Sequence, residues 1–436
     1  MSLLGAMSTA ISGLSAQSAS FGNISDNIAN SQTVGFKRIG TNFEDILTSS
    51  TAQGNQSGSV LAKPDYQNTL QGTIAQSSNP LSMAIAGQGF FPISLVNGGQ
   101  VGTFNFSPQQ YYTRAGDFSM DKSGYMVNNA GGYLNGWPIN PQTGEINRTT
   151  LAPIQVTQSV YNPVATSVVD MAANLPATPA AGVPINAQVS VYDTLGTSHI
   201  ISLGLTQTSP NVWTVAVNSP DDATLSERGT ASINFGPTAS GNPVADGTVG
   251  SITSPTGSVS GSAFATNNPA SLSFATDFGN GPQTIALTFG TYGRSAGLTQ
   301  YAGTAFQLEG INQNGVPQGS FSSASVTSAG DIQVNYNNGQ VRTIARVPVT
   351  IFNAADELQR QNGSAFTATL NSGQALNQDA GINGAGLIKT SSTEASNVDI
   401  ATEFSNLIVA QQAYSANAKI VTSADQLLQT TLNMKQ

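Results

Sequence analysis

The chain has 436 residues and a formal net charge of -9, and only 8% of its residues are charged, against about 25% in an average globular protein. Its basic residues are scattered, so no cluster can neutralise nucleic-acid phosphates, and nucleic acid is excluded as a partner. Because there is no cysteine, disulfides, thiolate metal sites and cysteine nucleophiles are excluded as well.

The first predicted element is a helix over residues 1–30, marked by an apolar row with steps of three and four residues. Such spacing is typical of a helix that packs along one face against a partner helix. The opening has neither a charged region before an apolar run nor a run long enough to span a membrane. We therefore predict no membrane insertion, and export, if any, without a cleaved signal peptide. The large apolar members of this N-terminal row are Leu4, Met7, Ile11, Leu14, Phe21 and Ile28.

The sequence pattern in the middle of the chain predicts two β domains, one inserted into the other. Short alternating runs separated by Gly, Asn, Asp and Pro indicate hairpin-rich antiparallel strands. The first and last blocks of this region are alike in texture, so we expect the chain to leave an inner domain, build an outer one and return. The predicted segments are 31–69, a linker with extended segments; 70–165, the first part of the inner β domain; 166–300, the outer β domain; 301–372, the second part of the inner domain; and 373–398, a second linker.

The last predicted element is a helix over residues 399–436, with Asn397 and Asp399 before it as a cap. At 1.5 Å per residue it would be about 50 Å long, too long to lie against a compact domain without projecting. Its apolar row, the C-terminal row, is interrupted by Gln411 and Asp425 and contains Ile400, Phe404, Leu407, Tyr414, Val421, Leu428 and Leu432.

The predicted fold is therefore multidomain, with long terminal α-helices pairing as a coiled coil and two nested all-β domains inserted between them. The alternative is that each row is the amphipathic edge of an ordinary core helix. Two such long rows at opposite ends of one chain favour pairing.

No residue pattern points to catalysis, a cofactor or a metal. The single histidine, His199, lies in a predicted strand beside a turn at Asp193, and no GxSxG motif is present to complete a hydrolase triad. Asp and Glu occur singly, without a paired-carboxylate site or a calcium loop. The glycine-rich pieces AGQGFF and GINGAGLI lack the GxGxxG spacing of phosphate-binding loops. We predict no catalytic, cofactor-binding or metal-binding residue, and not an enzyme.

Both ends of the sequence resemble the axial proteins of the bacterial flagellum, the family of rod, hook and hook-associated subunits. The N-terminal stretch SGLSAQSASFGNISDNIANSQTVGFKR resembles the opening signature of the family, and EASNVDIATEFSNLIVAQQAYSANAKIVTSADQLLQTTLNMKQ resembles its final helix. The motif residues are Asn27, Asn30, Thr33, Gly35, Phe36 and Lys37; of these, Asn27 and Asn30 are expected to end the helix, and Gly35 suits a turn that needs positive φ.

Within the family, the interior is most similar to hook subunits, because the block NLPATPAAGVPINAQVSVYDTLGTSHIISLGL resembles an outer domain that the shorter rod proteins lack. The resemblance implies a structural subunit that polymerises into the curved hook, a universal joint passing torque from rod to filament. The implied partners are other copies of the chain, rod, hook-cap and hook-filament junction proteins, and the flagellar export apparatus; the implied location is the extracellular hook. The alternatives are a distal rod or hook-associated protein of the same family, or a secreted β-rich adhesin.

Overall fold

The structure is a computed structural model that describes residues 3–51, 54–100, 103–141, 143–180 and 182–434. The chain forms two compact units. The first comprises residues 1–158, 322–335 and 341–436, and the second comprises residues 159–321 and 336–340.

The N-terminal part contains α1 (Leu3–Ala29), β1 (Ile39–Thr51), β2 (Gly54–Tyr66), β3 (Ile74–Gln76), β4 (Met83–Ala86), β5 (Phe91–Ser94), β6 (Val96–Gln100), β7 (Thr103–Phe106), β8 (Tyr111–Thr113), β9 (Ser119–Met120), β10 (Met126–Val127), β11 (Tyr133–Pro138) and β12 (Ala152–Pro153). The second unit contains β13 (Val168–Pro176), β14 (Ile185–Tyr192), β15 (Ser198–Ser209), β16 (Val212–Asn218), β17 (Glu227–Phe235), α2 (Gly236–Ser240), β18 (Val249–Thr253), β19 (Val259–Gly261), β20 (Pro269–Asp277), β21 (Pro282–Thr291), β22 (Leu298–Tyr301) and β23 (Gln307–Gln313). The chain continues with β24 (Phe321–Val326), β25 (Asp331–Tyr336), β26 (Val341–Arg346), β27 (Val349–Ile351), a 3-10 helix (Ala355–Glu357), β28 (Gln359–Gln361), β29 (Ala365–Thr367), β30 (Leu376–Gln378), β31 (Leu387–Thr390), β32 (Ser392–Glu394) and α3 (Ile400–Asn433).

The two long terminal helices pack together in the first unit. Asp399 caps α3, because its Oδ1 accepts hydrogen bonds from the backbone N–H of Ala401 at 2.8 Å and of Thr402 at 3.2 Å. The aromatic rings of Phe21 and Tyr414 lie 6.1 Å apart, edge to face. Because Asn27, near the end of α1, bonds to Glu403, near the start of α3, the two helices run antiparallel.

A long antiparallel hairpin of β1 and β2 packs against α1 within the segment predicted as a linker. The Val60 N–H donates to Ser12 Oγ at 3.1 Å, and the Asn23 side chain donates to Thr41 Oγ1 at 2.8 Å. The chain is extended there, and it is paired and held by α1. Residues 52 and 53 of the predicted linker lie outside the described residues.

The β structure of the first unit is built from short strands around an eleven-stranded sheet whose main path is β24-β25-β26-β11-β5-β8-β29-β28. Phe90, Tyr112, Leu358 and Phe366 form a buried aromatic and aliphatic core beside it. The segment 373–398 is not a free linker, because β30 pairs with β27, β31 with β4 and β32 with β3. Strands of three or four residues have too little periodicity to be recognised in a sequence.

The second unit is a β-sandwich with one core. The five-stranded sheet β14-β15-β16-β17-β18 and the six-stranded sheet β19-β20-β21-β13-β22, with β23 paired to β13, both contribute buried side chains to it. Inward positions alternate with outward ones, as in β16, where Trp213, Val215 and Val217 are fully buried. The unit is larger than the predicted 166–300, because residues 301–321, predicted to return to the inner domain, include β23.

A buried carboxylate holds the loops at one end of the second unit. Burial by itself would raise the pKa of Asp222, but the hydrogen bonds donated to it outweigh burial and hold that pKa well below its ordinary value. Its side chain has no exposed surface and accepts from Thr224 Oγ1 at 2.6 Å, Thr224 N at 2.8 Å, Leu225 N at 3.0 Å, Thr276 Oγ1 at 2.7 Å, Asp277 N at 2.7 Å and Arg228 Nη1 at 3.0 Å.

We expect Asp222→Asn to lower the free energy of unfolding of the second unit by about 3 kcal/mol at neutral pH. The substitution leaves the N–H and O–H donors around residue 222 without the charged acceptor that they surround. A depressed carboxyl pKa contributes stability above the unfolded-state value of about 4, and that stability is lost as pH falls toward the folded-state value. Denaturant unfolding of the whole chain at pH 7 and pH 3 should therefore show a smaller difference between variant and wild type at pH 3. Asp246→Asn, at an exposed carboxylate of the same unit, is the control; an equal effect of both substitutions would contradict the prediction.

Candidate functional site at the junction of the terminal helices

Three charged side chains from distant parts of the chain meet inside the first unit. Lys37 follows α1, Arg114 follows β8, and Glu394 is the last residue of β32. The Lys37 Nζ lies 2.5 Å from Glu394 Oε1, and Arg114 Nη1 lies 3.0 Å from Glu394 Oε2. At most 1% of each side chain is exposed. One buried carboxylate therefore pairs with two cations, and we call these three residues the Glu394 clamp.

Backbone groups complete the Glu394 clamp. Its cations donate to the carbonyl oxygens of Leu70, Ile85 and Gly87 at 2.6, 3.1 and 2.6 Å, and its carboxylate accepts from the Gly72 N–H at 2.8 Å. Among the described residues, the Arg114 Nε is the clamp atom without a partner. Buried ion pairs persist when further hydrogen bonds satisfy the charged groups, and this one also joins four chain segments that are remote in sequence.

Burial sets the protonation chemistry of the clamp. It lowers the pKa of Lys37, because the charged form loses its hydration; the Glu394 carboxylate opposes this shift and the Arg114 cation adds to it. Burial also lowers the pKa of Arg114, again opposed by Glu394. The one carboxylate therefore favours the charged form of both buried cations.

Gly35 lets the segment after α1 approach the β structure. Its φ is +69°, in the region that favours glycine, and its N–H donates to the Glu394 carbonyl at 2.8 Å. A Cβ at this position would lie 2.3 Å from the Ala115 backbone nitrogen. The turn with positive φ predicted at Gly35 is therefore confirmed, and close backbone packing is a second reason for glycine.

A second buried group, formed by Asn27, Arg38 and Glu403, joins the two helices directly. The Arg38 Nε lies 2.5 Å from Glu403 Oε1, and the Asn27 side-chain amide donates to Glu403 Oε2 at 3.3 Å. The same amide group donates to the Ile39 carbonyl at 2.8 Å and accepts from the Ile39 N–H at 2.9 Å. Glu403 lies in the first turn of α3, where a negative charge also complements the helix dipole.

Comparison with known proteins gives the family of this chain. The flagellar hook protein FlgE of Brucella abortus is 31% identical over 100% of this chain and 100% of its own length. This chain belongs to the flagellar hook protein family. The FlgE hook proteins of Rhizobium meliloti and Salmonella typhimurium are 27% and 29% identical, over 100% and 98% of this chain and 100% and 99% of their own lengths. This hook-family chain is a structural subunit of the flagellar hook.

Four family descriptions match successive parts of this hook-family chain. They are the flagella basal body rod protein over residues 7–37, the flagellar hook protein FlgE/F/G D1 domain over 84–169, the flagellar basal body protein FlaE D2 domain over 165–316, and the flagellar basal body rod FlgEFG protein C-terminal region over 389–434. The first and last contain Lys37 and Glu394, so the clamp joins the two terminal family segments. The crystal structure of the Helicobacter pylori flagellar hook protein FlgE2 covers 72% of this chain and 99% of its own, at 14% identity and a TM-score of 0.46.

The structure divides the six motif residues into two groups. Asn27, Gly35 and Lys37 make the buried contacts described above. Asn27 was predicted to help end the helix, but it lies inside α1, and Asn30 follows the helix end and donates to the Asp26 carbonyl at 2.9 Å. Thr33 donates to Asn30 Oδ1 at 3.2 Å, and Phe36 is buried beneath Arg360, whose guanidinium carbon lies 4.6 Å from the ring centroid.

The most buried positions of the two helices carry mostly small and polar residues rather than the large members of the apolar rows. The most buried positions of α1 are Ala10, Ala16, Ser20, Ile24 and Asn27, and those of α3 are Glu403, Ala410 and Ala424. Met7, Leu14, Phe21, Ile28, Leu407, Val421 and Leu428 are half-buried, whereas Ile11, Ile400, Phe404 and Tyr414 are exposed. The side chains of Leu4 and Leu432 lie outside the described residues.

The most buried face of each helix is thus displaced by about one residue from part of its predicted row. The positions 403, 410 and 424 keep seven-residue spacing, but they carry Glu and Ala rather than large apolar residues. Small side chains let helix backbones approach, and Glu403 is drawn inward by Arg38 and Asn27. A search for large apolar residues misses such a face.

The clamp residues Arg114 and Glu394, and Arg38 and Glu403, were not identified from the sequence. The sequence did contain a signal for them, because only 8% of the residues are charged. In such a chain, two adjacent basic residues at a family motif, Lys37 and Arg38, indicate that acidic partners lie nearby in the fold. Glu394 and Glu403 flank the start of the predicted last helix, but no spacing rule connects residues more than 350 positions apart.

Among the described residues, no three His, Cys, Asp or Glu side chains lie around one point where they could hold a metal ion. His199 stacks on Phe278 with ring centroids 3.9 Å apart, and its Nδ1 lies 3.1 Å from Asp221 Oδ2. None of the described helices combines the length and the apolar character needed to cross a membrane.

Proposed function

We propose that the paired terminal helices form the assembling core of the hook polymer, and that the nested β domains are carried outside this core. In this proposal the helices pair as a coiled coil, each subunit makes a head-to-tail contact that does not close on itself, and repetition builds a tube. The tube acts as the curved universal joint that transmits torque from rod to filament.

The observation that supports this proposal is the apolar surface that α3 leaves uncovered. Phe404, Ile408 and Leu427 are 50%, 55% and 56% exposed, and Ile400 and Tyr414 are 43% and 42% exposed. An isolated subunit gains nothing from large apolar side chains in water, and a row of them along one helix is typical of an interaction surface. Other copies of the chain are the partner that a homopolymer supplies.

The β domains and the other flagellar components have roles in the same assembly. The scarcity of charge leaves neutral surfaces on the β domains that can slide over one another without breaking ion pairs, as a bending tube requires. The rod, the hook cap and the hook-filament junction are the proposed neighbours of the polymer. The subunit is proposed to reach its site through the flagellar export apparatus without a cleaved signal peptide.

The test replaces two of the exposed apolar residues together, Phe404→Ser and Ile408→Ser. Because burying each large side chain in the polymer contributes about 1.5–3 kcal/mol, we expect the critical concentration for polymerisation to rise at least about tenfold. Sedimentation of polymer from serial dilutions measures this concentration. The melting temperature of the monomer should change little, because both side chains are already half or more exposed.

Leu370→Ser is the matched control, since Leu370 is fully exposed in the first unit but lies outside the helices. Its critical concentration should equal that of the wild type. Unchanged polymerisation of the double variant would contradict the assignment of this α3 surface to the polymer contact.

A further inference from the structure

A polar cleft of about 830 Å³ lies where the family motif meets the β structure of the first unit. Its walls come from the segment after α1, from residues 115–130 and from residues 360–364. Asn30, Thr33 and Phe36, the motif residues that the buried clusters do not use, belong to its lining. The cleft is therefore a built feature of the motif region and is separate from the exposed apolar surface of α3.

The cleft contains a carboxylate without a partner. Asp117 lines the cleft and is partly exposed, and its Oδ1, which is itself covered, accepts no hydrogen bond from any described residue. Asp26, at the end of α1, adds a second carboxylate to the lining. Arg360 does not neutralise Asp117, because it lies over the Phe36 ring and donates to the Lys37 carbonyl at 2.8 Å. Buried acceptors in proteins nearly always receive a donor, so this cleft calls for a cationic or N–H-bearing group.

One exposed lysine of the same unit has the matching properties. Lys122 lies at the tip of the turn between β9 and β10, and the structure shows no hydrogen bond or ion pair to its ammonium group from the described residues. The turn is rigid, because Asp121 Oδ1 accepts from the Ser123 and Tyr125 N–H groups, each at 2.8 Å, and Gly124 has a φ of +84°. It therefore presents a positive charge on a short projection.

Three other basic residues fit the cleft less well. Lys389 lies within strand β31 and Lys419 lies within helix α3, so neither projects from a turn. Arg294 lies in a turn, but its guanidinium already donates to Asn267 at 2.9 Å.

We propose that the Asp117 cleft of one subunit receives the Lys122 turn of a second copy of this chain. The lysine ammonium donates to Asp117, and the amide side chains at the rim, including Asn129 and Gln361, bond to the turn backbone. In this proposal cleft and projection pair in one direction only, so the contact is head-to-tail and continues from copy to copy. This inference rests on the proposed polymerisation, to which it adds a second contact besides the terminal helices.

The first experiment exchanges charges. Lys122→Glu should raise the critical concentration for polymerisation about tenfold or more, because it places two carboxylates together, and should leave the monomer melting temperature unchanged. Asp117→Asn should weaken polymerisation in the same direction without loss of monomer stability, since the carboxylate has no partner in the monomer. Adding Asp117→Lys to Lys122→Glu should restore the critical concentration toward that of the wild type.

The second experiment uses the absence of cysteine from the chain. Subunits with Asn129→Cys are mixed with subunits carrying Lys122→Cys, polymerised, and treated with a short bis-maleimide. Hetero-dimers should form in the polymer and be absent from dilute monomer. Lys389→Cys in place of Lys122→Cys is the control and should give no cross-link.

The outcomes separate this inference from the proposed function. Normal polymerisation of Lys122→Glu, or polymer without cross-links between positions 129 and 122, would overturn the inference and leave the helix-based polymer standing. A cross-link from position 129 to another part of the chain would also overturn it. A wild-type chain that forms no polymer would overturn the proposed function and this inference together.

Discussion

A chain that lacks residues 399–436 is expected to form no polymer at all while keeping its β structure folded. The deletion removes α3, and with it every exposed large apolar residue of that helix and the Glu403 carboxylate that joins α3 to Arg38. It retains Glu394, so the clamp with Lys37 and Arg114 stays intact. The loss of polymer is the largest change that the proposed function predicts.

Electron microscopy and sedimentation measure the polymer, and circular dichroism measures the fold. The truncated chain should still show a cooperative thermal transition of its β structure, because the cores of both units lie outside α3. The variant Phe404→Ser with Ile408→Ser keeps the helix and is the comparison that separates loss of the helix from loss of its surface. Tubes formed by the truncated chain would contradict the role of α3, and a chain unfolded throughout would show that α3 is part of the folding core.

Glu394→Gln is expected to destabilise the first unit by about 3–5 kcal/mol, which is a large part of the stability of a typical domain. The substitution preserves shape and leaves two buried cations, Lys37 and Arg114, without a carboxylate. Their pKa values are already lowered by burial, and Glu394 is the group that opposes this shift. Since the clamp joins the segments that lead into α1 and α3, we also expect the helices to lose their fixed attachment to the β structure.

Denaturant unfolding measures the stability of this variant, and hydrogen exchange at the amides of residues 70–72 and 392–397 measures the local attachment. Glu44→Gln is the matched control, because Glu44 forms an exposed ion pair with Lys63 on the hairpin, with more than half of each side chain in water. Exposed pairs contribute little, so its unfolding midpoint should stay near that of the wild type. Equal effects of the two substitutions would show that the clamp carries no special stability.

Function itself was predictable from the sequence because the family signal is local. The motif from Asn27 to Lys37 and the long C-terminal helix are each continuous in the chain, and family descriptions match both terminal segments. The prediction of a hook subunit is confirmed, as are the two terminal helices, whose bounds of 3–29 and 400–433 lie within a few residues of the expected ones. A period of three to four residues sustained over many turns is the most reliable signal that a sequence contains.

The sequence alone determined the helices, the abundance of β structure, the cap at Asp399 and the turn at Gly35, because each depends on residues close to one another along the chain. Tertiary structure alone decided that Glu394 meets Lys37 across 357 positions, that Ala410 rather than Phe404 is buried, and that residues 301–321 belong to the second unit. These outcomes depend on which backbones can approach closely and which buried charges find partners. Such conditions are met between residues that are distant in sequence, so no local period records them.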